Sequence, residues 1–514
     1  MQATRRALIS VWEKEGVDLL ARGLESLGFE LVSSGGTAAH LEELGLPVTR
    51  VEDVTGAPEM LGGRVKTLHP RIHAGILARP DREEDAAALE QHDIAPFEVV
   101  CVSLYPFSSV TGRLDTSDEE AIEMIDVGGP SMLRAAAKNY AHVAAISDSR
   151  QYDVVLRELR EHGEVSLDTR RQLAAEAFAT TAAYEAAIAN WFARGERFPE
   201  QLTLSFRKVS DLPYGENPHQ AAALYWEVGA RRHLLSRVEQ LGGRELSYNN
   251  LADLEAARRI SRELEEPAAV LVKHANPCGV AVAETIEEAW DRALAADPVS
   301  AYGCVVVLNR PVGAELGERI AAHFTEVVLA PGYDDAAVDA LSRKQALRIL
   351  RNDDRRADTP GERDFKRLLG SMLVQDRDGE PESREGMQVA AGSPTDEQWN
   401  DLLFAWRVCK HVSSNAIVLA RGLQTIGVGA GQMSRVDAVR IAIEKARALG
   451  HDPQGAVLAS DAFFPFADGP QLALDAGITA FVQPGGSKRD AEVQAAVEAG
   501  GAALVIAGRR HFRH

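Results

Sequence analysis

The segment 273–279, Lys-His-Ala-Asn-Pro-Cys-Gly, places two proton-handling side chains at the end of a predicted buried strand. The preceding residues 268–272 are apolar and rich in valine, and the Asn-Pro pair ends that run at once. Histidine titrates near neutral pH and a partly desolvated lysine can be tuned towards it, so Lys273 and His274 could supply a cation and a base together. Taken alone, the segment fits equally well a strand-end histidine bonded to backbone beside a solvated lysine.

The composition is that of an ordinary globular protein with several domains. The chain has 514 residues, too many for one hydrophobic core, and its formal net charge is -20. This charge argues against nucleic acid or an anionic membrane as the main partner, so an anionic substrate needs a local basic pocket. No apolar run approaches the roughly 20 residues of a membrane span. The four cysteines are isolated, which predicts reduced thiols and a cytoplasmic protein.

The N-terminal part alternates predicted strands and helices, which indicates a parallel α/β sheet. Strands are predicted over 7–11 and 29–33, and residues 34–37, Ser-Gly-Gly-Thr, open a helix directly after the second strand. Glycines at such a turn let backbone N–H groups and hydroxyls approach an anion, and the helix dipole adds to the attraction. The motif is neither a Walker loop nor G-x-G-x-x-G, so alone it fits an ordinary tight turn at least as well as a phosphate cradle.

Two further segments of this part concentrate cationic and hydroxyl side chains. Residues 60–70 set Arg, Lys, Thr and His in a loop bounded by glycine and proline, which favours an anion-binding loop over a merely solvated one. Residues 126–130, Asp-Val-Gly-Gly-Pro, precede a helix on which Ser131, Arg134 and Lys138 share one face. Cationic stripes on helices usually face solvent, but the Gly-Gly start favours an anion pocket here.

A periodic apolar segment over 168–194 predicts a core helix, and Phe-Pro-Glu at 198–200 indicates a domain boundary. The chain beyond it returns to the α/β rhythm, with candidate ligand-binding loops at 212–220, 298–303, 427–435, 460–466 and 483–488.

Charged segments complete the C-terminal part. The stretches 351–364 and 376–386 are predicted to be solvated loops or insertions, and no function is assigned to them. The basic C-terminus, residues 508–514, directly follows an apolar strand over 502–507, which predicts that the tail is anchored rather than frayed.

Taken together, these segments resemble the family of purine biosynthesis that combines AICAR transformylase and IMP cyclohydrolase in one chain. The similarity extends over essentially the whole sequence in the right order, and its clearest segments are 60–70, 214–220, 273–279, 429–435, 460–466 and 510–514. The resemblance implies a cyclohydrolase domain with a methylglyoxal-synthase-like parallel sheet over residues 1–199. It implies a transformylase domain over residues 200–514, built of two cytidine-deaminase-like units, and a homodimer whose transformylase sites each use both subunits.

The implied chemistry is the last two steps of IMP synthesis. A formyl group passes from the co-substrate 10-formyltetrahydrofolate to AICAR, and the resulting formyl-AICAR closes to IMP with loss of water. The AICAR amine is a poor nucleophile because its lone pair is delocalised into the ring, so its attack needs a base and a cation for the developing oxyanion. The resemblance assigns these tasks to His274 and Lys273. No catalytic metal is expected, because Pro277-Cys278 lacks the second cysteine of a zinc deaminase.

The resemblance also assigns the remaining site residues. Those that would hold AICAR are Tyr214, Gly303, Glu326, Asn415, Phe463 and Arg510. Those that would hold the folate are Arg435, Val436, Asp468, Ser487 and Lys488. Cyclisation needs a base for the carboxamide nitrogen and an acid for the departing oxygen; the candidates are Lys138 for proton transfer, with Lys66, Tyr105 and Asp126 around it. The cyclohydrolase nucleotide would be held by Lys14, Ser34, Gly35, Gly36, Thr37, Arg64, Val65, Thr67 and Val127.

A few positions depart from the family's pattern. Pro213 stands where an arginine is usual, which predicts weaker nucleotide binding or a substitute such as Arg207. Trp12 replaces a serine and removes its hydroxyl, while Ser103 replaces a common asparagine and Tyr140 a common histidine. Two alternatives therefore stand beside the bifunctional enzyme: an active transformylase with an impaired cyclohydrolase, and a non-catalytic regulatory protein that binds purine nucleotides. The retained proton-transfer residues favour an enzyme.

Overall fold

The computed structural model describes residues 5–113, 115–228, 237–353 and 362–514. The chain divides into two compact units, one made of Met1–Arg207 with Tyr225–Arg231 and the other of Lys208–Leu224 with Arg232–His514. Both units alternate strands and helices, which confirms the predicted α/β class. No helix in these described ranges is both long and apolar enough to cross a membrane.

The first unit is organised around a parallel sheet in the order β3-β2-β1-β4-β5. Its strands are β1 (Arg5–Val11), β2 (Phe29–Ser33), β3 (Val48–Arg50), β4 (Val99–Ser103) and β5 (Ala144–Ile146). The chain moves outward on one side of β1 through β2 and β3, then returns to build β4 and β5 on the other side. The strand order therefore reverses between β1 and β4, and the carboxyl ends of such strands form a crevice where ligands bind.

Helices cover this sheet and bury it in two apolar layers. They are α1 (Val17–Ser26), α2 (Gly35–Glu43), α3 (Val51–Thr55), α4 (Pro70–Leu77), α5 (Glu83–Gln91), α6 (Phe107–Thr111), α7 (Asp118–Glu123), α8 (Gly128–Lys138), α9 (Tyr152–His162) and α10 (Leu167–Phe192). The 26-residue α10 confirms the predicted core helix, with Leu173, Ala177, Tyr184 and Ile188 buried on one stripe. Two further strands, β6 (Phe206–Leu212) and β7 (Ala222–Glu227), lie near the division between the units.

The second unit contains two six-stranded mixed sheets. The first sheet and its helices comprise β8 (Glu239–Gly242), α11 (Tyr248–Arg262), β9 (Ala268–Lys273), β10 (Asn276–Val282), α12 (Ile286–Ala296), β11 (Cys304–Leu308), α13 (Ala314–Ala322), β12 (Thr325–Ala330), α14 (Asp335–Ser342) and β13 (Arg348–Arg351). The second, after the hairpin β14 (Arg363–Leu368) and β15 (Ser371–Asp376), comprises β16 (Gln388–Ala391), α15 (Asp396–Cys409), β17 (Ile417–Ala420), β18 (Thr425–Gly429), α16 (Arg435–Ala448), β19 (Val457–Ser460), α17 (Asp468–Asp475), β20 (Ala480–Gln483), α18 (Asp490–Ala499) and β21 (Ala503–Ile506).

These two sheets have the same topology. Their strand orders are β10-β9-β11-β12-β13-β8 and β18-β17-β19-β20-β21-β16, and each neighbouring pair has the same parallel or antiparallel sense in both. The order of helices and strands along the chain is also the same. The second unit is therefore an internal duplication, as expected for two units of one fold, and we call its halves repeat one and repeat two.

The charged stretches between the repeats are more ordered than the sequence predicts. Residues 354–361 of the first stretch lie outside the described residues, but the chain from 363 to 376 forms the antiparallel hairpin β14–β15. In the second stretch Glu382 is buried, 4% exposed, because its carboxylate accepts a hydrogen bond from the Trp406 indole. The segment 377–386 is otherwise a mainly exposed loop, as predicted, and Glu382 is the exception that ties it to the protein interior. The anchored C-terminal tail is also confirmed, since His511 is buried.

Candidate active sites

In the first unit, the predicted nucleotide-binding residues lie at the carboxyl ends of β1 and β2. Ser34 caps α2 after β2, and Thr37 in the first turn of that helix is buried. The Thr37 hydroxyl accepts a hydrogen bond from the Val11 N–H at 3.1 Å and another from the Lys14 ammonium at 3.1 Å. Burial lowers the pKa of Lys14 below its ordinary value. A partly buried cation therefore stands beside the N-terminus of a helix, an arrangement suited to an anion.

Lys66 approaches the same helix start closely. Gly35 has a φ of +51°, and a Cβ atom at this position would lie 2.9 Å from the Lys66 ammonium. Only glycine fits both the backbone angle and the close approach. The ammonium also lies 3.0 Å from the Glu59 carboxylate, while Arg64 pairs with Glu123. The loop predicted to bind an anion thus carries its own acidic partners, which an incoming anion must replace.

Tyr105 and Asp126 lie together next to Lys66. Burial raises the pKa of Asp126, partly offset by backbone N–H groups such as that of Gly129, which donates at 2.8 Å. Burial and the Asp126 charge raise the pKa of Tyr105, whereas Lys66 lowers it. A carboxyl group and an ammonium that both shift the pKa of a neighbouring phenol in a crevice form with it a candidate acid–base cluster.

Two of the family departures touch each other at this edge. The Ser103 hydroxyl accepts a hydrogen bond from the Trp12 N–H at 2.7 Å, so a hydroxyl still caps the loop although position 12 carries none. The Trp12 indole packs against Tyr105 with ring centroids 4.9 Å apart. Trp12 therefore forms an aromatic wall beside the acid–base cluster.

The structure does not bring Lys138 to this cluster. It is exposed at the C-terminal end of α8, whereas Asp126 precedes the N-terminal end. Eleven helical residues separate the two ends by roughly 15 Å. The Arg134 guanidinium packs over the Phe178 ring, and the Ser131 hydroxyl is hydrogen-bonded to the His73 imidazole. The predicted stripe of Ser131, Arg134 and Lys138 therefore runs along the helix and does not converge on its Gly-Gly start. Of the other predicted binding residues, Thr67 lies against Gly128, and Val65 and Val127 flank this edge without polar side chains.

In the second unit, His274 occupies the tight turn between β9 and β10. The φ angles of His274 and Ala275 are +54° and +60°, a left-handed geometry that is rare outside glycine. The Asp253 carboxylate on α11 accepts both turn N–H groups, at 3.2 Å from His274 and 2.6 Å from Ala275. The predicted base is therefore held by a strained turn and one carboxylate, and such strain is typical of functional sites.

Repeat two has the same turn without the histidine. Asp401 on α15 accepts the N–H groups of Gly422 and Leu423 at 2.7 and 2.6 Å, and both residues have a φ of +59°. Gly422 stands where repeat one has His274, and Arg421 stands where repeat one has Lys273. Both turns therefore carry a cation, but only the turn of repeat one has a base beside it.

Lys273 and His274 line a cavity of about 180 Å³. The Lys273 ammonium donates a hydrogen bond to the Tyr302 carbonyl at 2.6 Å, which fixes its direction. Across the cavity, Lys445 pairs with Asp297 at 2.6 Å. Cys278 also lines the cavity, but burial raises the pKa of its thiol to about 12, so it is not a nucleophile at neutral pH.

Gly303 and Glu326, two predicted AICAR ligands, lie together at the ends of repeat-one strands. A Cβ on Gly303, whose φ is +76°, would lie 3.9 Å from the Glu326 carboxylate, and that carboxylate accepts a hydrogen bond from Asn250 at 2.8 Å. The sequence missed a cation here: burial lowers the pKa of Arg348, while Glu326 and the half-exposed Tyr214 partly oppose that effect. Arg207, the substitute considered from the sequence, ends the first unit.

A second cavity, of about 290 Å³, belongs to repeat two and the C-terminal tail. It is lined by Asn415, whose amide oxygen accepts a hydrogen bond from Arg435 at 2.6 Å. The same guanidinium pairs with buried Asp461 and bonds the Ser460 hydroxyl at 3.1 Å. Arg435 is therefore not the free cation that the glycine-rich segment suggests, because its guanidinium is engaged inside the protein.

The remaining predicted ligands lie in repeat two, at helix starts and in the loops that precede helices. Val436 is in the first turn of α16, Asp468 begins α17, and Ser487 and Lys488 precede α18. Phe463 is half-buried after β19. In the tail, the Arg510 guanidinium lies over the Phe512 ring, 4.5 Å from its centroid.

Within one chain, Lys273 and His274 line one cavity and Asn415 lines the other. The two segments are nevertheless linked: the Ser413 N–H donates to the Asn276 side chain at 2.9 Å, and Arg513 of the tail donates to the Ala275 carbonyl at 3.0 Å. Asp253 and Arg513 could not be predicted as site residues, since each acts on residues far away in the chain.

The fold and these candidate sites indicate an α/β enzyme, and comparison with known proteins agrees. The family model "AICARFT/IMPCHase bienzyme" matches residues 136–445, and the model "MGS-like domain" matches residues 16–131. The proteins named "Bifunctional purine biosynthesis protein PurH" from Halalkalibacterium halodurans and Anoxybacillus flavithermus are each 48% identical to this chain, covering 99% of it and 100% of their own length.

The chain belongs to the AICARFT/IMPCHase bienzyme family. It is a bifunctional enzyme of purine biosynthesis, a formyltransferase acting on AICAR and an IMP cyclohydrolase, which confirms the predicted function and fold class. A solved structure titled "Crystal structure of ForH" is 36% identical, covering 37% of this chain and 98% of its own, with a TM-score of 0.34, which is too low to support an argument.

Proposed function

We propose that the second unit transfers a formyl group from 10-formyltetrahydrofolate to AICAR, and that the first unit then closes formyl-AICAR to IMP. We place the boundary between the two activities near residue 199, with the cyclohydrolase in 1–199 and the transformylase in 200–514. The observation that carries the transformylase assignment is the strained turn in which Asp253 holds His274 next to Lys273. The four cysteines, all free, suit an enzyme of the cytoplasm.

In the transformylase step, His274 acts as the base and Lys273 as the oxyanion partner. The AICAR amine attacks the formyl carbon while His274 accepts the amine proton, and the carbonyl oxygen gains a negative charge that the Lys273 ammonium stabilises. The bond from the formyl carbon to the folate nitrogen then breaks, and that nitrogen leaves with a proton. The hydrogen bond from Lys273 to the Tyr302 carbonyl aims the ammonium before the substrate arrives.

The two substrates are held by the groups around both cavities. AICAR is assigned to Tyr214, Gly303, Glu326, Asn415, Phe463 and Arg510, with Arg348 as the guanidinium near Tyr214 that stands in for the arginine absent at position 213. The folate is assigned to Val436, Asp468, Ser487 and Lys488. Arg435 acts through Asn415, whose amide it orients, rather than by direct contact with the folate.

The transformylase site is assembled from two copies of the chain. His274 and Asn415 line different cavities in one copy, which supports a site that takes one of these residues from each of two copies. Large apolar side chains near both cavities are strongly exposed, namely Val299, Tyr302 and Met433. A homodimer would cover these surfaces and complete the site.

In the cyclohydrolase step, Asp126, Tyr105 and Lys66 form the acid–base cluster. The carboxamide nitrogen attacks the formyl carbon, loses a proton to this cluster, and the oxygen leaves as water after it is protonated. Lys14, Thr37 and the N-terminus of α2, which begins at Gly35 and Gly36, hold the nucleotide phosphate. The proton-transfer role of Lys138 stays a prediction, since this chain places it at the far end of α8.

The proposal is tested by measuring the two steps separately on purified protein. With AICAR and 10-formyltetrahydrofolate we expect release of tetrahydrofolate and accumulation of IMP. His274→Ala should abolish the first step and leave the cyclisation of supplied formyl-AICAR intact. Formyl-AICAR without IMP would indicate an impaired cyclohydrolase, no turnover at all would indicate a binding protein, and loss of both steps in His274→Ala would refute separate sites.

A further inference from the structure

The C-terminal tail is tied to the linker between the two repeats by a buried histidine. His511 is 1% exposed, and its Nδ1 lies 2.6 Å from the Asp378 carboxylate while its Nε2 lies 3.3 Å from the Glu382 carboxylate. Its ring packs against the Trp406 indole with centroids 5.0 Å apart, and that indole donates to Glu382 at 2.9 Å. One imidazole therefore bridges two carboxylates of a segment that is otherwise charged and lacks regular secondary structure.

This bridge lies next to both groups of transformylase residues. The backbone of the tail is bonded on each side: the His511 N–H donates to the Asp461 carbonyl at 3.0 Å, and the Ser414 N–H donates to the Arg513 carbonyl at 2.9 Å. The Arg513 side chain donates to the Ala275 carbonyl at 3.0 Å and also to the His411 carbonyl. The tail thus contacts the turn that carries His274 and the segment that carries Asn415.

We propose that His511 is a positioning residue of the transformylase: clamped between Asp378 and Glu382, it holds the C-terminal tail so that Arg513 braces the His274 turn and Arg510 faces the substrate. The inter-repeat linker is then part of the catalytic apparatus rather than a spacer. This inference rests on the proposed roles of His274 and Arg510. It gives a role to His511 and to the linker 376–386, neither of which takes part in the proposed chemistry.

The clamp depends on the charge of the imidazole. Burial would lower the pKa of His511, but Asp378 and Glu382 outweigh it and raise that pKa above its ordinary value. The other charged or titratable groups that face this cluster are Arg509, Lys410, His411, Glu263 and Glu380. Because the pKa is raised in the folded protein, the clamp is complete below the ordinary histidine pKa and is lost as the pH rises through the folded value.

The test compares His511→Gln with the unaltered enzyme from about pH 6 to about pH 9, with kcat and KM for AICAR measured at each pH. At the acid end we expect the transformylase kcat/KM of His511→Gln to be lower than that of the unaltered enzyme by roughly tenfold or more, because a displaced turn misaligns the base. The ratio of the kcat/KM values of the two enzymes should approach unity at the alkaline end, where His511 in the unaltered enzyme has lost its proton. Cyclisation of supplied formyl-AICAR by the same samples should not change.

Three further variants separate the possible failures. Asp378→Asn keeps the shape of the cluster but removes one charge. The decline of transformylase kcat/KM with rising pH should therefore begin at a lower pH than in the unaltered enzyme, a shift that a purely structural role does not produce. Arg343→Gln removes an exposed ion pair with Glu318 in repeat one and should match the unaltered enzyme. Arg510→Ala should raise KM for AICAR; if it does not, the proposed role of Arg510 fails independently of His511.

The outcomes that overturn the inference are equally specific. A ratio that stays constant across the pH range would make His511 a structural residue only, as would an equal loss of transformylase and cyclohydrolase activities. If His511→Gln fails to fold, the Asp378→Asn pH profile decides alone: an unshifted profile refutes the clamp.

Discussion

Replacing Asp253 by asparagine should separate the positioning of His274 from the stability of the fold. The Asp253 carboxylate accepts the N–H groups of His274 and Ala275, and both residues have positive φ angles. An asparagine can accept one of these bonds, but its NH2 group then faces the second N–H. The turn loses one charge-assisted hydrogen bond, which contributes about 1.5–3 kcal/mol, while its left-handed geometry still costs about 1–2 kcal/mol per residue.

A loss of about 2 kcal/mol in holding the base corresponds to a roughly 30-fold fall in kcat if the whole amount appears in the transition state. We expect this fall in transformylase kcat at saturating AICAR, with little change in KM. Cyclisation of supplied formyl-AICAR serves as the internal reference for enzyme concentration.

The internal duplication offers a matched control. Asp401→Asn disrupts the equivalent pair of hydrogen bonds, to Gly422 and Leu423, in the turn of repeat two that carries no catalytic side chain. The free energy of unfolding of Asp401→Asn should fall by about as much as that of Asp253→Asn, whereas its transformylase kcat should stay within about twofold of the unaltered enzyme. Equal losses of kcat in both variants, or full activity of Asp253→Asn, would refute the role given to this turn.

Three other changes test separate parts of the structure. Gly35→Ala should lower cyclohydrolase activity and spare the transformylase, because the added Cβ meets the Lys66 ammonium at 2.9 Å; an unaffected cyclohydrolase would count against that site. Trp12→Ala should raise KM for formyl-AICAR several-fold, since it removes a ring contact with Tyr105 that contributes about 0.5–1.5 kcal/mol. A faster cyclohydrolase would instead mean that Trp12 obstructs the site. Burial would raise the pKa of Glu255, but two neighbouring arginines hold it at about 2. Its stabilisation is therefore present above the ordinary value of 4.5 and lost as the pH falls towards 2, and denaturant unfolding of Glu255→Gln should lack that pH dependence.

Much of the architecture follows from local patterns in the sequence. Alternating strands and helices predicted the α/β class, and β9 was predicted to end near Lys273 because its apolar run stops there. What the pattern missed was the next strand, β10, since Pro277 normally marks an edge or the end of pairing. Tight hairpin turns also favour Asn-Gly or Gly-Gly, whereas this turn is His-Ala. Asp253, on a separate helix, supplies the stabilisation that the turn residues lack.

Long-range partners account for the other errors. Glu382 in the segment 376–386 looked solvated because its charge is visible in the sequence, whereas its buried partners, Trp406 and His511, are distant along the chain. Arg435 looked available for a ligand for the same reason, since Asp461 pairs with it from another strand end. The duplication in the second unit was implied only by the family resemblance, because strand order and direction are properties of the sheet rather than of any segment.

The central claim is that one transformylase site needs His274 from one chain and Asn415 from another. It is tested by mixing two inactive variants, His274→Ala and Asn415→Ala, under conditions that exchange subunits. Half of the dimers would then be mixed, and each mixed dimer would contain one intact site, so about a quarter of the unaltered transformylase activity should return. Activity that stays at the level of the separate variants, while subunit exchange is demonstrated directly, would contradict the shared site.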